Sequence, residues 1–173
     1  MKKVICVLIG LVCVATLLLC GVKKESNTQY LRIHIRANSN LEIDQNVKYK
    51  IKDQLVDFLT PILSECVTVE NAKIKMQENL SNIERIANKT LEKNGFDYKA
   101  KAKINNEYFP TRSYSDLTLE SGYYDALIVE LGSAKGDNWW CVVYPPLCFT
   151  GGNSKPIYKS KIAEIIKNFK ENN

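Results

Sequence analysis

Tyr30-Leu31-Arg32-Ile33-His34-Ile35-Arg36-Ala37 decides how the rest of the chain is read. Leu31, Ile33, Ile35 and Ala37 alternate with Arg32, His34 and Arg36, the two-residue period of a strand with one buried face. Asn38-Ser39-Asn40 follows. Such short polar side chains bond nearby backbone and favour turns and caps over continued strand.

From about Glu42 the period lengthens. Val47, Ile51, Leu55, Phe58, Leu59 and Ile62 fall three or four apart, an apolar stripe along one side of a helix. Pro61 lacks an N–H and is expected to kink or end that helix near Thr60. A second helix is expected from Val69 to Lys93, with Thr68 as its N-cap and Asn94-Gly95 as its stop. Its stripe is Ala72, Met76, Leu80, Ile83, Ala87 and Leu91.

Strict alternation returns over residues 96–104, where Phe96, Tyr98, Ala100, Ala102 and Ile104 interleave with Asp97, Lys99, Lys101 and Lys103. One face should be wet and basic, the other packed against helices. Residues 123–131 and 139–144 are further strand candidates across a turn-like connection at residues 132–137. A closing helix is expected over about residues 157–169. The fold class is therefore α+β in a single domain: about four strands, antiparallel or mixed, packed against a helical pair and a C-terminal helix.

The opposite end of the chain has another character. Val4 to Val22 carries no charge and follows Lys2 and Lys3, an export signature long enough to cross a hydrocarbon core. Residues 1–25 are read as a signal peptide or an uncleaved N-terminal membrane anchor, and residues 26–173 as an exported globular domain. Leu19 is too large to precede a lipidated Cys20. The orientation expected keeps Lys2 and Lys3 inside the cell and the body outside.

Charge narrows the partners. Of the 24 Lys and Arg, four flank the apolar run (Lys2, Lys3, Lys23, Lys24), leaving 20 against 19 Asp and Glu, a net of +1 for the body. The basic footprint of a nucleic-acid binder is missing, and that class is set aside.

The catalytic inventory is thin. His34 is the single histidine, and no zinc-protease, nucleophile-elbow, paired C-x-x-C or phosphate-loop pattern occurs. No catalytic, metal or cofactor residues are assigned, and the chain is not read as an enzyme. Cys6, Cys13 and Cys20 lie in the apolar run, where thiols behave as small hydrophobes. Cys141 and Cys148 bracket Val-Val-Tyr-Pro-Pro-Leu, a turn-prone stretch that makes them a disulfide candidate outside the cytosol; Cys66 would then be unpaired. Trp139 and Trp140 are adjacent on one strand and must point to opposite faces.

Three stretches together resemble the stage II sporulation protein R family. They are Arg32-Ile33-His34-Ile35-Arg36-Ala37-Asn38-Ser39-Asn40 with Asp44-Gln45; Phe109-Pro110-Thr111-Arg112-Ser113-Tyr114 running into Gly122-Tyr123-Tyr124; and Gly136 with Asn138-Trp139-Trp140-Cys141-Val142 and Pro145-Pro146-Leu147-Cys148-Phe149. The sequence Leu119-Glu120-Ser121-Gly122 departs from the proline and alanine expected before the glycine. The resemblance implies a protein exported from the forespore into the space between two membranes. There it would activate a membrane-embedded protease, the stage II sporulation protein GA type, which processes the mother-cell sigma-E precursor. Arg36, Asn38, Arg112, Trp139 and Trp140 are the partner-interface candidates, as motif residues with polar or aromatic reach. The rival readings are an exported envelope enzyme, using Cys141 with His34 or carboxylates such as Glu107 and Asp116, and a passive envelope-binding module.

Overall fold

A computed structural model describes residues 29–114, 117–145 and 171. The N-terminal segment, Cys148 and the expected closing helix lie outside the described residues. Within them the chain is α+β: four strands form one mixed sheet, and three helices lie against one face of it.

β1 (Leu31–Arg36) is the stretch on which the sequence reading turned, and it is a central strand. Leu31, Ile33 and Ile35 join the helix-side core as expected. The expected single buried face is corrected, because Arg32 and His34 are buried as well, at 0% and 2% exposure. A strand with a neighbour on each side and cover on both faces has no wet side.

α1 (Glu42–Leu63) buries Val47, Ile51, Leu55, Leu59 and Leu63, one residue per turn. It continues past Pro61 rather than ending at Thr60. Proline here removes only one bond close to the helix end, and Ser64 N closes the last turn on Thr60 O at 3.0 Å. The expected second helix is two: α2 (Val69–Glu78) and α3 (Leu80–Lys93). Thr68 caps α2, its side chain accepting from Asn71 N at 3.2 Å. Asn79 makes the break, donating its amide to Lys75 O at 2.8 Å while its backbone leaves helical geometry. Asparagine competes with the helix in this way because its side chain mimics a backbone group. Ala72 and Met76 of α2, then Ile83, Ala87 and Leu91 of α3, fill the core as the stripe foretold.

β2 (Ala100–Phe109) starts and ends later than the alternation at residues 96–104 suggested. It lies at one edge of the sheet, antiparallel to β5 (Gly122–Leu131). Between them a small hairpin, β3 (Arg112–Tyr114) and β4 (Leu117–Leu119), was not foreseen. β5 runs parallel to β1, and β6 (Asn138–Tyr144) pairs antiparallel on β1's other side, giving the order β2-β5-β1-β6. α3 blunts part of the β2 edge: Asn88 Oδ1 accepts from Ala100 N at 2.7 Å and Glu84 Oε1 from Ala102 N at 2.8 Å.

Candidate functional site

Since β5 and β6 flank β1, the connection between them must cross the end of β1 where Asn38-Ser39-Asn40 leaves it. Two loops are thereby clasped together. Gly136 N donates to Ala37 O at 2.9 Å, Ser133 N to Asn38 Oδ1 at 2.8 Å, and Asp137 N to Asn40 Oδ1 at 2.6 Å. A Cβ on Gly136 would collide with the Ser39 carbonyl, so that position requires glycine. Beneath the loops sits Asp44, 3% exposed, which accepts from Asn38 Nδ2 at 3.0 Å, Ser39 Oγ at 2.5 Å and Tyr98 OH at 2.5 Å. Desolvation alone would raise its pKa, but these three donors outweigh burial and hold the carboxyl below its ordinary value. Lys48, also buried, donates to Gln45 Oε1 at 2.6 Å and Asp137 O at 3.0 Å. Every polar group named here has a partner.

The face of the sheet away from the helices differs. The even positions of β1 place Arg32, His34 and Arg36 there, beside Glu107 and Phe109 of β2, Tyr124 and Glu130 of β5, and Trp140 of β6. Arg32 lies 4.2 Å from the Phe109 ring centroid and 4.9 Å from that of Tyr124, and its Nη2 donates to Tyr114 OH at 2.7 Å. Its Nε and Nη1 have no acceptor among the described residues. Burial lowers its pKa, with the nearby Arg112 cation adding to the effect.

His34 stacks on Trp140 at 3.7 Å between centroids and 21° between planes, with its Nδ1 3.3 Å from Glu107 Oε2. Its Nε2 has no hydrogen-bond partner among the described residues. Desolvation pushes the imidazole below its ordinary pKa, against opposing contributions from the Asn138 side chain and Glu107. Arg36 bridges Glu107 and Glu130 at 2.7 Å to each, and Lys103 reaches Glu130 at 3.2 Å. This face can present aromatic edges and paired charges to a ligand. It also keeps an imidazole and a guanidinium just beneath, each with a ring or guanidine nitrogen unpartnered among the described residues.

The five interface candidates do not form one patch. Arg36 and Trp140 share this second face, and Arg112 stands exposed in the hairpin close enough to act on Arg32. Asn38 is committed to the loop clasp. Trp139 points the other way, packing against the helix-side core with Lys52 Nζ 5.9 Å from its ring centroid. Cys141 lies opposite Ile33, on the helix side, whereas His34 is on the second face. Cys141 is disulfide-bonded and Cys66 is a free buried thiol. A Cys141–His34 nucleophile pair is therefore not assembled.

The sequence reading missed Arg32 as a site residue, and Tyr114 and Glu130 with it. The signal for Glu107 was available: extending β2's alternation to Phe109 places it on the same face as the β1 cations. Asp116 lies outside the described residues. Among those residues no grouping of three His, Cys, Asp or Glu could hold a metal ion, and no helix is long and apolar enough to cross a membrane.

Fold and site together define a mixed-sheet α+β domain with a charged, aromatic second face. The family model for stage II sporulation protein R matches residues 27–154. Stage II sporulation protein R of Bacillus subtilis (strain 168) is 31% identical over 161 residues, spanning 86% of this chain and 72% of that protein. No solved structure matches. The chain belongs to the stage II sporulation protein R family, and its role lies in sporulation.

Proposed function

We propose that this chain is an exported sporulation signal that switches on a membrane-embedded protease of the stage II sporulation protein GA type. That protease in turn processes the mother-cell sigma-E precursor. Family membership over residues 27–154 is the observation that carries the reading. The uncharged run from Val4 to Val22 supports delivery across a membrane from the forespore to the intermembrane space, either secreted or anchored.

The mechanism is activation in trans. A ligand shifts a partner between inactive and active states only by the difference in its affinity for the two. Moving the protease from almost wholly inactive to almost wholly active needs roughly 10⁴-fold preference, about 5.5 kcal/mol. A few desolvated aromatic and arginine contacts are enough for that. Of the sequence candidates, Arg36, Arg112 and Trp140 are the residues we assign to the contact.

Co-expression of the full chain with the protease and the precursor in a non-sporulating host is the test. Cleavage should require this chain and its N-terminal segment. Cleavage without the chain, or with residues 1–25 deleted and the body held in the cytosol, would overturn the proposal. Turnover of a substrate by the purified chain alone would favour the enzyme reading instead.

A further inference from the structure

The groove between α1 and α3, on the helical side and away from the site above, encloses about 500 Å³. Lys50, Asp53 and Gln54 line it from α1; Arg85, Ile86, Lys89, Thr90 and Lys93 line it from α3. These sets sit at the three- and four-residue spacings that put side chains on one side of a helix. Among the described residues four cations thus face a single carboxylate, and Lys52 Nζ already holds that carboxylate, Asp53 Oδ1, at 2.5 Å. The partners of two of the cations are neutral: Lys50 Nζ donates to Asn94 Oδ1 at 2.6 Å and Arg85 Nη2 to Asn82 Oδ1 at 3.2 Å. Lys89 and Lys93 make no ion pair among the described residues.

Arg85, Lys89 and Lys93 are spaced i, i+4, i+8 along α3. Like charges at that spacing destabilise a helix by roughly 0.2–0.5 kcal/mol per pair. A body whose net charge is only +1 has spare acidic residues to interleave, yet none lies in this row. Lys93, in the last turn, is favoured by the helix dipole, so the charges that gain nothing from their own helix are Arg85 and Lys89.

We infer that this groove docks an acidic segment of a partner polypeptide. Charge complementarity sets the sign of the occupant. Shape sets its class, because the cations stand on the two walls of a recess, whereas a bilayer presents a plane that meets ridges. Carboxylates at i, i+4 on a partner helix, or on alternate residues of a strand about 6.6 Å apart, match the row of α3. Ile86 and the lysine stems give the segment an apolar floor. The inference does not depend on the signalling role.

The test uses the full chain in a nonionic detergent and a labelled helical peptide carrying Glu at every fourth position, with a Gln version as control. At about 150 mM salt, where exposed charges are screened beyond roughly 8 Å, the Glu peptide should bind and the Gln peptide should not. Lys89→Gln with Lys93→Gln should weaken binding at least about tenfold. Lys99→Gln with Lys101→Gln, an equal loss of exposed charge on β2 and the segment before it, should leave it unchanged. Arg85→Gln with Lys89→Gln is the second groove variant, and circular dichroism checks that helix content is kept in each. Equal weakening by the groove and β2 pairs, or no peptide binding, would overturn the inference. So would groove-dependent binding to phosphatidylglycerol vesicles without peptide binding, which would assign the groove to a membrane surface.

Discussion

Two buried polar clusters flank β1, one under the loops that leave it and one on its second face, and they are finished differently. Around Asp44, the carboxylate receives three hydrogen bonds and each loop group named has a partner. Around Arg32 and His34, three nitrogen atoms are buried without one among the described residues. Burying a cation costs several kcal/mol. A bond to the neutral Tyr114 hydroxyl returns about 1.5–3 kcal/mol and ring contacts about 2 kcal/mol. The first cluster is architecture, since removing any part strands the others. The second is incomplete as folded, which is the condition expected of groups kept for a purpose other than stability.

The comparison breaks most readily at Asp44. Asp44→Ala strands the Tyr98 and Ser39 hydroxyls and the Asn38 amide, and should cost about 3–5 kcal/mol in urea unfolding. A loss below about 1 kcal/mol would show the two clusters to be alike. Arg32→Met removes a charge that has no carboxylate partner among the described residues, and should change stability by no more than about 1.5 kcal/mol. In the co-expression assay the same variant should reduce precursor cleavage by about tenfold, equivalent to ~1.4 kcal/mol of lost differential binding.

His34 sharpens the contrast through pH. Its pKa is lowered in the folded state, so below the unfolded value of about 6.5 the unfolded chain binds more protons, and stability falls as pH drops. Melting temperature should therefore decline as the pH falls below about 6.5. This His34 component should be absent in His34→Phe, whose ring keeps the stack on Trp140. An unaltered pH profile in that variant would remove His34 from the account. The smallest effect lies in the β5–β6 turn, where Ala134 has φ 54°. Ala134→Gly should stabilise by about 0.5 kcal/mol, the relief of left-handed strain less the entropy of an added glycine.

The helical stripes were legible because each repeats at one residue per turn and meets a core of matching period. Val47, Ile51 and Leu55 are buried where the stripe placed them. The break at Asn79 was harder to read, because a helix can carry an asparagine or end at one, and only the bond to Lys75 O decides. The alternation of β1 showed a strand but not its place in the sheet. An arginine on an alternating strand ordinarily faces water, and Arg32 is buried only because β5, β6 and the hairpin surround it. The site was thus half visible. Arg36 and Trp140 could be named from pattern and Glu107 placed by β2's alternation, whereas Arg32 and Tyr114 come together through pairings between distant parts of the chain.

β1 precedes the other described strands in the chain, yet it occupies the middle of the sheet. Its partners are synthesised long after it; Arg36 and Glu130, joined across β1 and β5, are 94 residues apart in the chain. A nascent polypeptide leaving the ribosome therefore holds Leu31–Arg36 without a neighbour until most of the domain has been translated, and closing such distant contacts is slow. Shortened products ending before β5 should therefore never acquire this architecture.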